Sequence, residues 1–170
     1  DHSGATPMSI RRDAMMGAAE MILDLERLTN ETADCVGTVG VIRAFPGAVH
    51  TIPGEVEFYV DIRGVKELDK MRLVKTFRKA MDERARNRDL GISVETYVDE
   101  APVPCTDWVV AELTEVCENL DASFMVMPSG AGHDTQHIAA VADVGMYFIP
   151  SGGGIAHTPE EYTDIQDVAY

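Results

Sequence analysis

The chain has 170 residues, 45% of them apolar and 25% charged, and a formal net charge of −15. That is enough for one sizeable domain or two small ones with a real core, and no apolar run approaches the length that spans a membrane. All 14 Lys and Arg fall in residues 1–88, where Asp and Glu balance them, so residues 89–170 carry the whole excess of acid and no Lys or Arg. Such a segment repels nucleic acid and anionic lipid, and the break in composition marks a domain boundary near residue 100.

Residues 7–29 predict an amphipathic helix. Ala14, Ala18, Met21, Ile22 and Leu25 recur at helical spacing, while Arg11, Arg12, Glu20, Asp24 and Arg27 are free to face water. Thr6 before Pro7 is a start signal. Residues 36–45 are β-branched and apolar and predict a strand, and "PGAVHTIPG" at 46–54 is a connection. Residues 55–63 alternate, with Val56, Phe58, Val60 and Ile62 on one face, and predict a half-buried strand. A second amphipathic helix is expected over 66–87, with Leu68, Met71, Val74, Phe77 and Met81 inward, followed by an alternating strand at 91–99. One further strand before residue 1 would complete a ferredoxin-like β-α-β-β-α-β unit, with two helices on one face of an antiparallel sheet.

Residues 100–105 read as a linker. Beyond them the pattern predicts a helix at 107–120, a short strand at 123–127, the glycine-rich loop "PSGAGHD", a helix at 134–142 and an apolar strand "GMYFIPS" that leads into "SGGGIAH". This is an α/β alternation with buried strands, too thin at about 70 residues to be a typical domain by itself. Cys35, Cys105 and Cys117 are odd in number and form no CxxC pair. Free thiols in a reducing, cytoplasmic compartment are the expectation.

The chemistry concentrates in loops. His133 and Asp134 in "GAGHD" and His157 in "GIAH" each follow a short apolar strand, where α/β proteins place their sites. Together they would suit a zinc-type ion, but spacing alone favours the reading in which both histidines hydrogen-bond inside their own loops. No HxH or HExxH pair is present. Arg63 ends the alternating strand on its polar face. It could fork a substrate carboxylate or pair with Asp61 or Glu57, and spacing alone favours the ion pair. The Lys- and Arg-rich helix at 66–87 carries interleaved acids and no stacking aromatics, so it reads as a solvated face rather than a nucleic-acid surface.

Four stretches in register carry a resemblance: "DHSGATPMSIRRDAMMGAAEMI", "HTIPGEVEFYVDIRG", "MPSGAGHDTQHIA" and "MYFIPSGGGIAHTPEEYTD". Together they resemble the metal-dependent amidohydrolases that include N-carbamoyl-L-amino-acid hydrolases, allantoate amidohydrolases and β-ureidopropionases, within the aminoacylase and carboxypeptidase group. The resemblance implies a ferredoxin-like lid and dimerisation domain over residues 1–100, and the C-terminal portion of an α/β metallohydrolase domain over 101–170. It implies two divalent metal ions (Zn, Mn, Co or Ni) in the intact enzyme, with a His-Asp-Glu-His ligand set upstream of residue 1. This chain alone is then expected to hold no metal firmly and to be inactive.

Residue by residue, His157 stands where the family's last metal ligand sits, in a G-I-S-H-x-P-x-E pattern with Ala156 replacing Ser. His2 stands where the lid gives a histidine to the substrate carbonyl or developing oxyanion. Arg63 stands where the lid arginine clamps the substrate carboxylate, usually in the neighbouring subunit's site. His50 stands where many members have an Asn that helps that arginine, and His can also donate to a carboxylate. His133 and Asp134 take a substrate-contacting or supporting role near the metals. The implied partners are a small carboxylate substrate and a second copy of the chain, with no nucleic acid and no membrane. The alternatives are an inactive dimerisation or ligand-binding module, and an N-acyl amino-acid amidase or aminopeptidase of the wider group.

Overall fold

A computed structural model describes residues 1–169. The chain divides into two compact units, one from Asp1 to Pro102 and one from Val103 onward.

In the first unit, helix α1 (Ala14–Asn30) begins later than the sequence pattern suggested. Pro7 leads only a short 3-10 turn over Met8–Ile10, and Asp13 is the true cap, its carboxylate accepting from the N–H groups of Met15 and Met16 at 3.0 and 3.3 Å. Ala18, Met21, Leu25 and Leu28 form its buried stripe. Strands β1 (Cys35–Phe45) and β2 (Glu55–Gly64) pair antiparallel, with a bulge between Val39 and Val41. The register sets Gly37 opposite Ile62 and Ile42 opposite Phe58. Helix α2 (Glu67–Asn87) buries Leu73, Phe77, Met81 and Ala85, again at helical spacing.

Both helices pack on one face of the hairpin, against Cys35, Val39, Phe58 and Ile62. The approach is close. A Cβ on Gly37 would sit 2.6 Å from Thr29 Oγ1 and 3.1 Å from Leu25 Cδ1, so only glycine lets α1 lie this near β1. Leu25 is 2% exposed, and truncating it to Ala would cost about 3 kcal/mol.

Two polar groups join this core against expectation. Asp24 is buried, not solvent-facing. Its Oδ2 accepts from Arg84 Nε at 2.7 Å and its Oδ1 from Arg84 Nη2 at 3.2 Å, tying α1 to α2. Lys70 is buried too, and its ammonium meets Glu67, Asp99 and the Glu100 carbonyl. The inner face of α2 is therefore rotated from the predicted one, and Leu68 and Met71 are exposed.

Residues 91–99 form no ladder and are not a strand. They are held through side chains: Arg78 donates to Thr96 Oγ1 at 2.7 Å, and Tyr97 stacks on Tyr59 with centroids 6.2 Å apart. Alternation encodes two faces, but a strand also needs a neighbour to bond, and the described residues offer it none. The sheet is consequently two-stranded.

In the second unit, helix α3 (Asp107–Asn119) receives residues 143–145 along its side. Trp108 Nε1 donates to Asp143 Oδ2 at 3.1 Å, and Thr106 exchanges hydrogen bonds with Val144 at 2.7 and 2.9 Å. Helix α4 is a single turn, Thr135–Ile138, shorter than expected, and α5 spans Ile165–Val168. The segments expected as buried strands at 123–127 and 145–151 have no ladder. Phe124, Met125, Val126, Met127, Tyr147 and Phe148 are exposed instead. Their apolar composition suits a strand flanked on both sides, and no flanking strand lies among the described residues. No helix of the described chain is long and apolar enough to cross a membrane.

Candidate functional site

His2 lies on an N-terminal segment laid against the β1–β2 connection. A bridge pairs His2 with Thr51, Ser3 N–H donates to the His50 carbonyl, and Ile52 N–H donates to the Asp1 carbonyl, the last two at 2.9 Å. Ile52 is buried beneath and anchors the arrangement. His2 Nδ1 accepts from Gly4 N–H at 3.0 Å. In the neutral ring the proton therefore sits on Nε2, which becomes a donor. His50, on the connecting loop, is exposed. The fold thus brings His2 and His50 onto two touching segments.

Arg63 is elsewhere. It is the penultimate residue of β2, opposite Val36, while His50 is at the hairpin's other end. Eight steps of strand from Glu55 to Arg63 span about 26 Å, so within one chain His50 and Arg63 do not meet the same group. Arg63 pairs with Asp61, Nη2 to Oδ2 at 2.8 Å and Nε to both carboxylate oxygens at 3.1 and 3.0 Å. This hydrogen-bonded partner, more than its charge alone, raises the guanidinium pKa.

His133 and Asp134 lie at the start of α4 in the second unit. Asp134 is exposed, and its carbonyl accepts from His137 and Ile138. His133 is half-buried, its Nε2 2.9 Å from Ser129 Oγ and its ring tilted 60° against Phe148 at 5.6 Å. Ser129 was not legible as a partner beforehand, although Ser-x-x-x-His in a glycine-rich loop is the signal that marks it.

His157 is exposed and has φ +61°, in the left-handed region that follows Gly153 and Gly154 at φ +68° and +69°. Its N–H donates to Glu161 Oε2 at 2.7 Å. The imidazole is available, but no three His, Cys, Asp or Glu side chains among the described residues converge to hold a metal ion. The set His133, Asp134 and His157 is thus not a cage in this chain. The described residues do not make up a metal site.

A model of peptidase family M20/M25/M40 matches residues 4–170. Over 169 residues the chain is 35% identical to the N-carbamoyl-L-amino-acid amidohydrolase of Pseudomonas sp. (strain NS671), which covers 98% of this chain and 41% of that protein. It is also 35% identical over 170 residues to the allantoate amidohydrolase of Escherichia coli (strain K12), covering 99% of this chain and 41% of that one. A solved amidase of the hydantoinase/carbamoylase family from Burkholderia multivorans superposes with a TM-score of 0.94 at 30% identity, over 99% of this chain and 41% of that one. This chain therefore spans about two-fifths of the length of the relatives it matches. The mixed α/β fold agrees with that superposition, and the sequence match runs almost end to end. The chain belongs to peptidase family M20/M25/M40.

Proposed function

We propose that the intact protein hydrolyses the C–N bond of N-carbamoyl-L-amino acids or ureido acids such as allantoate. The observation that carries this is identity of 35% over essentially the whole chain to amidohydrolases named for those two substrate classes. In this reading residues 1–100 are a ferredoxin-like lid and dimerisation domain, and residues 101–170 are the C-terminal portion of the catalytic domain.

The side chains have chemistry suited to such a substrate. His2, with its proton on Nε2, can donate to a carbonyl oxygen as negative charge develops there. Arg63 can exchange Asp61 for the substrate carboxylate, since an exposed pair of this kind holds by little. His50 adds a second donor near His2, and His133 and Asp134 are taken as substrate contacts. A homodimer would let Arg63 and His50 serve different points or different sites despite the strand length between them. The proposal includes two divalent ions (Zn, Mn, Co or Ni) in the intact enzyme, with His157 as one ligand and the others supplied from outside these 170 residues.

The test is turnover by the purified full-length protein, with added Mn²⁺ or Zn²⁺, of N-carbamoyl-L-amino acids and of allantoate. Ammonia release from either class supports the reading. Turnover of N-acyl amino acids or peptides alone would replace it with an amidase or aminopeptidase of the wider group. No turnover of any of these would favour a non-catalytic binding module.

A further inference from the structure

The loop from Ser129 to Gln136 is bonded at both ends of His133. The His133 N–H donates to Gln136 Oε1 at 3.3 Å, and Gln136 N–H returns to the His133 carbonyl at 2.9 Å. The ring is held separately, by Ser129 Oγ at 2.9 Å from Nε2 and by the Phe148 ring. Backbone and imidazole are therefore both restrained, which an incidental loop histidine does not require.

The hydroxyl of Ser129 has one proton and two lone pairs. One lone pair accepts the Ala131 N–H at 3.2 Å. The proton has two possible acceptors, the Ala131 carbonyl at 3.3 Å and His133 Nε2 at 2.9 Å. The ring nitrogen is the nearer of the two acceptors. A neutral imidazole that accepts at Nε2 carries its proton on Nδ1. In that tautomer Nδ1–H is a donor with no partner among the described residues.

We propose that Ser129 is a positioning residue that sets the tautomer and ring plane of His133, so that Nδ1–H is presented to a carboxylate oxygen of the substrate. This rests on the reading of His133 as a substrate contact and adds to it which nitrogen is used and what selects it. The chemistry required of the ligand is an anionic oxygen acceptor, because charge strengthens the bond.

The experiment uses the full-length enzyme and an N-carbamoyl-L-amino acid. Ser129→Ala should raise KM about five- to tenfold, the equivalent of about one hydrogen bond, with kcat within about twofold because a carboxylate contact is the same in ground and transition states. Ser129→Thr, which keeps the hydroxyl, should restore KM. In a His133→Ala background Ser129→Ala should add nothing further. Selective ¹⁵N labelling of histidine should find His133 protonated at Nδ1 in the wild type and not locked there in Ser129→Ala.

An unchanged KM in Ser129→Ala overturns the proposal. So does failure of Ser129→Thr to rescue, or an equal loss from Ser129→Ala when His133 is already Ala. A different failure separates the underlying reading. If His133→Ala leaves KM unchanged while the ¹⁵N signature is as expected, the tautomer assignment holds and the substrate contact does not.

Discussion

His157 donates its backbone N–H to the carboxylate of Glu161, four residues along, at 2.7 Å, while its own φ is +61°. A non-glycine residue in that region carries about 1 kcal/mol or more of strain. The surrounding loop is closed by Gly152 N–H on the Tyr162 carbonyl at 2.7 Å and by Ser151 Oγ on the Ile155 carbonyl at 2.6 Å. Glu161 is thus the side chain that holds the histidine backbone within an already closed loop. Glu161→Ala should speed amide exchange at His157 about tenfold, and Glu161→Gln, which keeps an acceptor oxygen, should change it by less than about twofold. Equal protection in all three proteins would assign the hold to the loop backbone alone.

Arg63 and Asp61 make a second testable pair. The two side chains are about half exposed, so their mutual stabilisation is about 0.5 kcal/mol. Arg63→Ala should leave stability nearly unchanged. In the full-length enzyme it should raise KM for a carboxylate substrate about tenfold or more, because a charge-assisted fork is removed. Asp61→Asn removes the competing carboxylate and should leave KM unchanged or lower. An unaltered KM in Arg63→Ala would reduce Arg63 to a surface ion-pair partner.

The helices and the hairpin were legible because their evidence is local. Alternation over residues 55–63 and helical spacing at Ala18, Met21 and Leu25 depend only on neighbours in sequence. What sequence reading missed depends on distant partners. Asp24 looked like a solvent-facing acid, and it is buried because Arg84 reaches it from sixty residues away. Lys70 could be placed inside only by knowing that Asp99 and the Glu100 carbonyl return to it. Residues 91–99, 123–127 and 145–151 have strand composition, but a ladder is a property of two segments. At the site, the glycines before His157 were a visible signal. The Glu161 and Ser129 contacts depended on the path of each loop, which composition does not specify.

The segment at 91–99 offers a direct test of the lid proposal. Its ties are Arg78 to Thr96, Lys70 to Asp99 and the stack of Tyr97 on Tyr59, all from side chains. Val94 and Val98 stay exposed. Without a ladder, its amides should exchange far faster than those of β1 and β2 in the 170-residue chain. In the full-length protein, completion of a ferredoxin-like sheet beside this segment would slow them by orders of magnitude. Fast exchange there in both proteins would remove the support for that sheet.

Asp24 predicts the acid response of the first unit. Its carboxyl is held below the ordinary aspartate range mainly by the hydrogen bonds from Arg84, whose charge adds to the effect, while burial opposes it. Glu20 is lowered in the same sense by its hydrogen bonds with Arg88. A carboxyl whose folded value lies below its unfolded value, about 3.9 for Asp, stabilises the fold fully above that unfolded value. The contribution is lost as the pH falls through the depressed folded value. Asp24→Asn keeps the shape and removes the charge, so it should cost about 2 kcal/mol near neutrality. Urea midpoints of wild type and variant should therefore converge as the pH is lowered from about 6 to about 3 or below. Arg84 remains solvated on its outer side in the variant, which keeps the loss below that of a fully stranded buried charge. A gap between the two proteins that stayed constant across that range would show that the charge of Asp24 contributes nothing, and that its packing alone holds α1 to α2.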